Sequence, residues 1–288
     1  MLITPYVRVV LGHRIIEGFT QVTSQTQPNI LDKIEYRDQS GREYSLDCRR
    51  CASMINFDFS YAFQPIINAD LKQIFGYEAL VRGPNSESAW SVISKVNDDN
   101  RYAFDQICRQ KAIRMAAELN VQSMLSINFL PNAVYEPEHC IQSTLKAAHE
   151  VNFPVEKIMF EVTESEKVLD RKHLTNIFQY YHSQGFTVAL DDFGAGHAGL
   201  NMLSSFVPDI LKIDMELIRG IDQDKVKQII ARNLVKMCQE LKVTVLAEGI
   251  ETQEEYQFYR DLGVNLFQGY LFAKPGFECL PEIDWSVA

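Results

Sequence analysis

Thr187-Val188-Ala189-Leu190-Asp191, Ile210-Leu211-Lys212-Ile213-Asp214 and Thr244-Val245-Leu246-Ala247-Glu248 decide the fold of this chain. Each is a short run that stays largely apolar until its far end and turns charged there. Strands buried on both faces look like this, because neither face is left for water. The same run recurs upstream at Tyr61-Ala62-Phe63-Gln64-Pro65-Ile66, Tyr77-Glu78-Ala79-Leu80-Val81, Met124-Leu125-Ser126-Ile127-Asn128 and Ile158-Met159-Phe160-Glu161-Val162. Downstream it returns once, at Leu266-Phe267-Gln268-Gly269-Tyr270.

Helical period lies between the runs. Ala103, Phe104, Ile107, Cys108, Ala112, Met115, Ala116 and Leu119 follow the i, i+3, i+4 spacing of an amphipathic helix. Similar patterns cover 138–150, 167–183, 223–241 and 252–262, and Gly185 and Gly263 stand where a glycine closes a helix. Eight strands alternating with helices predict an α/β fold, a (β/α)8 TIM-like barrel spanning residues 56–288. A doubly wound open sheet shares this alternation, and strand count alone does not separate the two. Residues 1–55 read differently. Val7–Leu11 and Arg14–Ile16 look like strands, and Lys33–Tyr36 and Glu43–Leu46 flank the turn Asp38-Gln39-Ser40-Gly41 as a hairpin. This small β-rich extension cannot bury a core alone, so it is expected to dock on the barrel or on a protein partner.

The bulk numbers exclude some classes. A formal net charge of −10 over 288 residues argues against a binder of polymeric DNA or RNA, which needs a basic face. No stretch approaches the ~18–20 uncharged apolar residues of a membrane span. Met1-Leu2-Ile3-Thr4-Pro5-Tyr6-Val7-Arg8 lacks the basic start and apolar core of a secretory leader, so no membrane association and a cytoplasmic location are expected. Cys108, Cys140, Cys238 and Cys279 are scattered singly, as in a reduced intracellular protein. Cys48-Arg49-Arg50-Cys51 has the form of a redox pair or half a zinc site, but zinc needs four ligands and no second such pair lies nearby; the two thiols read as incidental.

The chemistry lies in where the polar residues fall. Asn128, Glu161, Asp191, Lys212, Glu248 and Gln268 each end, or nearly end, an apolar strand, and such positions converge on the C-terminal rim of a parallel barrel. One acid at a strand end is commonplace as a helix cap or loop polar; six successive strands contributing to one rim are not. Crowded carboxylates cost Coulomb energy unless cations offset them. All-oxygen donors favour Mg2+, Mn2+ or Ca2+ over zinc. Asp191-Asp192 is a natural bridge between two ions, which together could activate water and stabilise the leaving oxygen of a phosphodiester. Such ions also let an acidic protein hold an anionic ester.

Glu78-Ala79-Leu80, followed by Val81-Arg82, resembles the motif that names the EAL phosphodiesterases. The resemblance runs in family order through Gln64-Pro65-Ile66, Ile127-Asn128-Phe129, Glu161-Val162-Thr163-Glu164, Asp191-Asp192-Phe193-Gly194, Leu211-Lys212-Ile213-Asp214, Ala247-Glu248-Gly249-Ile250-Glu251-Thr252 and Gln268-Gly269-Tyr270, over residues 57–278. It implies hydrolysis of cyclic di-GMP to linear pGpG with one or two Mg2+ or Mn2+ ions, Ca2+ being inhibitory. Glu78, Asn128, Glu161 and Asp191 match the ligands of a first metal; Asp191, Asp192 and Glu248 match those of a second. Lys212 matches the lysine that contacts the attacking water or a metal-bound oxygen, and Glu248 is a base or a ligand. Arg82 matches a residue that contacts a substrate phosphate, with Gln64, Asp214 and Gln268 on the nucleotide side. Glu164 matches an acid that steadies the loop after Asp191-Asp192, near which the family forms a homodimer. Glu78 rests on the resemblance alone, since its strand runs on through Leu80 and Val81.

The chain departs from the family in two places. Ala195-Gly196-His197-Ala198-Gly199 lacks two hydroxyls and an aromatic of the usual loop, and His197 stands where the aromatic would be. Gly83-Pro84-Asn85-Ser86-Glu87 replaces a longer segment with a Trp, which bears on the substrate cleft rather than the metal site. Two rival readings stay open: a receptor that binds cyclic di-GMP without cutting it, and a protein-interaction module on the same fold. All the mapped acids are present, which favours the enzyme.

Overall fold

The first two apolar runs are separated only by residues 67–76, too short a stretch to carry a crossover helix, so they can meet only as a hairpin. The computed structural model, which describes residues 10–11, 14–15, 35–37, 43–45, 55–163, 171–195 and 199–288, shows this hairpin. The chain divides into two compact units, 1–56 and 57–288. In the first, β1 (Val10–Leu11) pairs antiparallel with β2 (Arg14–Ile15), and β3 (Glu35–Arg37) with β4 (Glu43–Ser45), Tyr36 opposite Tyr44. Cys48 and Cys51 lie outside the described residues.

The second unit is a closed barrel. Its strands are β5 (Ser60–Asn68), β6 (Gln73–Arg82), β7 (Met124–Asn128), β8 (Ile158–Thr163), β9 (Thr187–Phe193), β10 (Ile210–Ile213), β11 (Thr244–Ala247) and β12 (Leu266–Phe267). Neighbours from β6 to β12 pair in parallel, while β5 runs antiparallel to both β6 and β12 and so shuts the barrel. The strict strand–helix alternation is therefore broken once, at its start. A last short strand, β13 (Gly276–Phe277), adds to β5.

The helices follow the apolar spacing. They are α1 (Trp90–Ile93), α2 (Arg101–Glu118), α3 (Pro137–Cys140), α4 (Gln142–Glu150), α5 (Arg171–Ser183), α6 (Gly199–Ser205), α7 (Met215–Ile218), α8 (Lys225–Leu241) and α9 (Gln253–Asp261). Gly185 and Gly263 take the left-handed conformation of helix-closing glycines (φ +91° and +85°). Helix α2 departs from the amphipathic expectation, since Asp105, Gln106 and Arg109 are as buried as its apolar residues. No helix among the described residues is long and apolar enough to cross a membrane.

The barrel interior is layered. Ile66, Met159, Ala189, Ile210, Leu246 and Leu266 form a dry floor, with Phe75 and Met124 packed against it. Two residues further along each parallel strand, and two back along antiparallel β5, stand Gln64, Glu161, Asp191, Lys212, Glu248 and Gln268. The period-2 alternation of a strand puts floor and rim on the same inward face. On β6 the floor position is Gly76: a Cβ there would lie 2.8 Å from the Cβ and carbonyl oxygen of Met124, so only glycine lets β6 lie this close to β7.

Candidate active site

Glu78 sits in the middle of the ten-residue β6, opposite Gln64 of β5 and two residues beyond Gly76. Its carboxylate is held from two sides: Asn128 Nδ2 donates to Oε1 at 3.1 Å and Gln268 Nε2 to Oε2 at 2.9 Å. Ladder pairing sets Asn128 opposite Glu161. Asp191 and Asp192 are adjacent, and ordinary alternation would send them to opposite faces. A bulge resolves this. β10 advances from Leu211 to Ile213 while β9 advances from Leu190 to Phe193, so two aspartates face Lys212 alone. Asp192 takes the left-handed conformation (φ +54°), which aspartate tolerates, and its N–H donates to Asp191 Oδ1 at 2.8 Å.

Lys212 is the centre. Its Nζ lies 2.6 Å from Glu248 Oε1, 2.8 Å from Glu161 Oε2, 3.1 Å from Asp191 Oδ1 and 3.7 Å from Glu78 Oε2. Lys212 and Glu161 have no exposed surface. One ammonium thus faces four carboxylates, with Asp192 beside them. Burial works against the charged lysine, but the surrounding acids outweigh it and hold its pKa well above the ordinary value. Burial also pushes Glu161 up to about 8, with Glu78 and Asp191 adding to the rise and Lys212 opposing it. Glu248 is raised well above the carboxylate range for the same reasons, and burial beside Asp191 and Asp214 lifts Asp192 to about 6.

The cluster therefore holds more negative charge than its one cation can balance. Neither carboxylate oxygen of Glu161, nor Oε1 of Glu248, meets a hydrogen-bond donor in good geometry among the described residues. Oxygens of Glu78, Glu161 and Asp191 lie within 4.8 Å of one another, as do those of Asp191, Asp192 and Glu248. These are two oxygen-rich groups sharing Asp191, a donor set that suits hard divalent cations. The residues present fit such ions.

Gln64, Arg82, Asp214 and Gln268 each have a partner within the chain, and that of Gln268 lies in this cluster. Gln64 is buried and donates through Nε2 to the Ala273 carbonyl at 3.3 Å. Arg82 donates to its neighbour's carbonyl, Val81 O, at 2.8 Å. Asp214 caps α7, its Oδ1 accepting from Glu216 N–H at 2.8 Å. Gln268 is 3% exposed and engaged on Glu78. Glu164 and His197 lie outside the described residues. Sequence reading missed the bulge and the dual hold on Glu78; Gly76, two residues before an acid in an apolar run, was the available signal for the latter.

Comparison with known proteins adds the family. Residues 50–275 match the model of the EAL domain. Among curated relatives, the chain is 31% identical over 246 residues to the blue light- and temperature-regulated antirepressor BluF of Escherichia coli K12, covering 85% of this chain and 60% of that one. It is 28% identical over 251 residues to the probable cyclic di-GMP phosphodiesterase PdeD of the same organism, covering 83% and 44%. It thus spans about half the length of these relatives. Among solved structures, a standalone versatile EAL protein from Vibrio cholerae O395 in its c-di-GMP bound form superposes with a TM-score of 0.79 at 56% identity, covering 81% of this chain and all of that one. Klebsiella pneumoniae BlrP1 in a manganese/cy-diGMP complex gives 0.74 at 31% identity, covering 80% and 59%. The barrel, the rim and the match across most of the chain agree, and the chain belongs to the EAL family.

Proposed function

We propose that this chain is a metal-dependent phosphodiesterase that hydrolyses cyclic di-GMP to linear pGpG. The observation that carries the reading is the charge excess at Lys212: four carboxylates around one ammonium, in two groups that share Asp191. Relatives named cyclic di-GMP phosphodiesterases, and the manganese complex of BlrP1, support it. Glu78, Asn128, Glu161 and Asp191 would hold one ion, and Asp191, Asp192 and Glu248 the other. Bound Mg2+ or Mn2+ would supply Lewis-acid polarisation of the phosphoryl group and a more acidic water.

The protein's own groups divide the remaining work. Lys212 keeps its proton, because the acids hold its pKa high, so it acts as a fixed positive charge and donor toward the attacking water rather than as a base. Glu248 has the most exposed side chain of the four carboxylates, at 15% against 9%, 8% and 0%, and would be best placed to take a proton from entering water once a bound cation has displaced its own. Asn128 and Gln268 hold the Glu78 carboxylate in one orientation. Arg82 exchanges the Val81 carbonyl for a substrate phosphate, while Gln64 and Asp214 shape the nucleotide side. Buried free thiols at Cys108, Cys140 and Cys238 support a reducing cytoplasmic setting. Residues 1–55 serve as a docking piece, toward a partner or within a homodimer.

A second reading has one observation in its favour: BluF, to which the chain is 31% identical over 246 residues, is named an antirepressor rather than an enzyme. On that reading the rim binds without cutting. Incubating the purified chain with cyclic di-GMP and Mn2+ and separating the products decides between them. The enzyme reading expects pGpG to appear and EDTA to stop it; tight nucleotide binding with no pGpG would refute it.

A further inference from the structure

On the helix-facing side of β7 and β8, behind the acid rim, lies a second buried charge that the reaction does not use. Arg109 of α2 has no exposed surface. Its Nη2 is 2.7 Å from Asp105 Oδ2, and its Nη1 donates to the Tyr181 hydroxyl of α5 at 2.7 Å. The guanidinium carbon stands 5.3, 5.1 and 5.6 Å from the ring centres of Phe129, Phe160 and Tyr181. Phe129 and Phe160 are the immediate neighbours of Asn128 and Glu161, and strand alternation turns them away from the rim. Asp105 also reaches the backbone, accepting from Leu130 N–H at 2.9 Å just past the end of β7. There Phe129 N–H donates to the Glu161 carbonyl at 3.1 Å.

We propose that the Arg109–Asp105 pair is a positioning device for the acid rim. By holding Phe129, Phe160 and Leu130 against α2 and α5, it sets the depth and direction of Asn128 and Glu161 on the other side of the same strands. This rests on reading the rim as a divalent-cation site. Stability alone does not explain the pair, since buried ion pairs are often replaced by apolar residues of similar volume at no cost. What an apolar filler lacks is direction. A planar guanidinium boxed by three rings, with Nη1 donating to a phenol and Nη2 at ion-pair distance from a carboxylate, leaves one arrangement of the strand backs. Cation ligands need that, because sites tolerate only about 0.2 Å in ligand distance.

The test uses the full chain and two variants: the double replacement Asp105→Asn with Arg109→Met, which removes both charges at similar volume, and the milder Tyr181→Phe. The readouts are the Mn2+ binding isotherm of metal-free protein, the Mn2+ concentration for half-maximal hydrolysis, and KM for cyclic di-GMP at saturating Mn2+. The double variant is expected to bind Mn2+ about 10- to 100-fold more weakly, the usual cost of losing partners behind a metal ligand, with KM within about twofold. Tyr181→Phe is expected to weaken Mn2+ binding by about threefold, a fraction of that cost. Mn2+ affinity within twofold of the unaltered chain in both folded variants would overturn the proposal, and if the double variant does not fold, Tyr181→Phe decides alone. A chain that binds Mn2+ but cuts nothing refutes the enzymatic reading while the isotherms still support or overturn the clamp. A chain that binds no Mn2+ overturns both.

Discussion

The same two strands, β7 and β8, carry a buried charge cluster on each side, and the two are built on opposite principles. On the inner side one lysine faces four carboxylates. On the outer side one arginine faces one aspartate and a tyrosine hydroxyl, with aromatic rings around them. The outer cluster is balanced, so each charge there exists for the other. The inner cluster is not, and folding alone gives no reason to crowd acids whose ionised forms burial already penalises. Imbalance, rather than burial of charge as such, marks the place where the molecule expects something from solution.

Single substitutions should affect the two clusters in opposite ways. Glu161→Gln in the unbalanced cluster should cut hydrolysis by about a thousandfold or more, several kcal/mol of transition-state stabilisation. The same variant should leave the metal-free melting temperature unchanged or higher, because burial already pushes Glu161 up to about 8 and glutamine is neutral without having to hold a proton; a marked drop would contradict the charge excess. Arg109→Met in the balanced cluster should do the reverse. It leaves Asp105 buried without its cation and should cost about 3–5 kcal/mol in chemical denaturation. Equal stability effects at the two sites would erase the distinction.

Two smaller effects are expected of the inner cluster. Mn2+ at about 100 times its dissociation constant should raise the unfolding free energy by about 2.7 kcal/mol in the unaltered chain, with the gain lost in Asp191→Asn. The pH dependence follows from Glu161. Its carboxyl rises from an ordinary 4.5 to about 8 in the folded chain. Between those values the unfolded chain has released a proton that the folded chain retains, so stability falls as pH rises across that window. Lys212 adds nothing there, being protonated in both states. Melting curves of metal-free protein from pH 5 to 8 should therefore slope downward, and more shallowly in Glu161→Gln; an upward slope would count against the assignment.

The barrel was legible because its strands announce themselves: Ile210-Leu211-Lys212-Ile213 can be little else than a buried strand. The antiparallel β5 was legible too, in the short stretch 67–76, but strand count without connection length does not show it. Asp191 and Asp192 could be read as a charged strand end, whereas the bulge that sets both opposite Lys212 in the ladder depends on the register with β10, which no local pattern encodes. Glu78 needed the family motif, since apolar residues continue beyond it in β6. Arg109 escaped because Asp105 and Arg109, four residues apart on a helix, look like any surface ion pair; only packing by α5 and the backs of β7 and β8 buries them.

On the proposed function, the excess of acids around Lys212 is a cation site. Calorimetric titration of Mn2+ into metal-free protein, unaltered and Glu161→Gln, tests it most directly. Saturable binding to the unaltered chain is expected, stronger at pH 8 than at pH 6 as the acids release their protons, and largely lost in the variant. Equal Mn2+ binding by both proteins, or none by the unaltered chain, would contradict it.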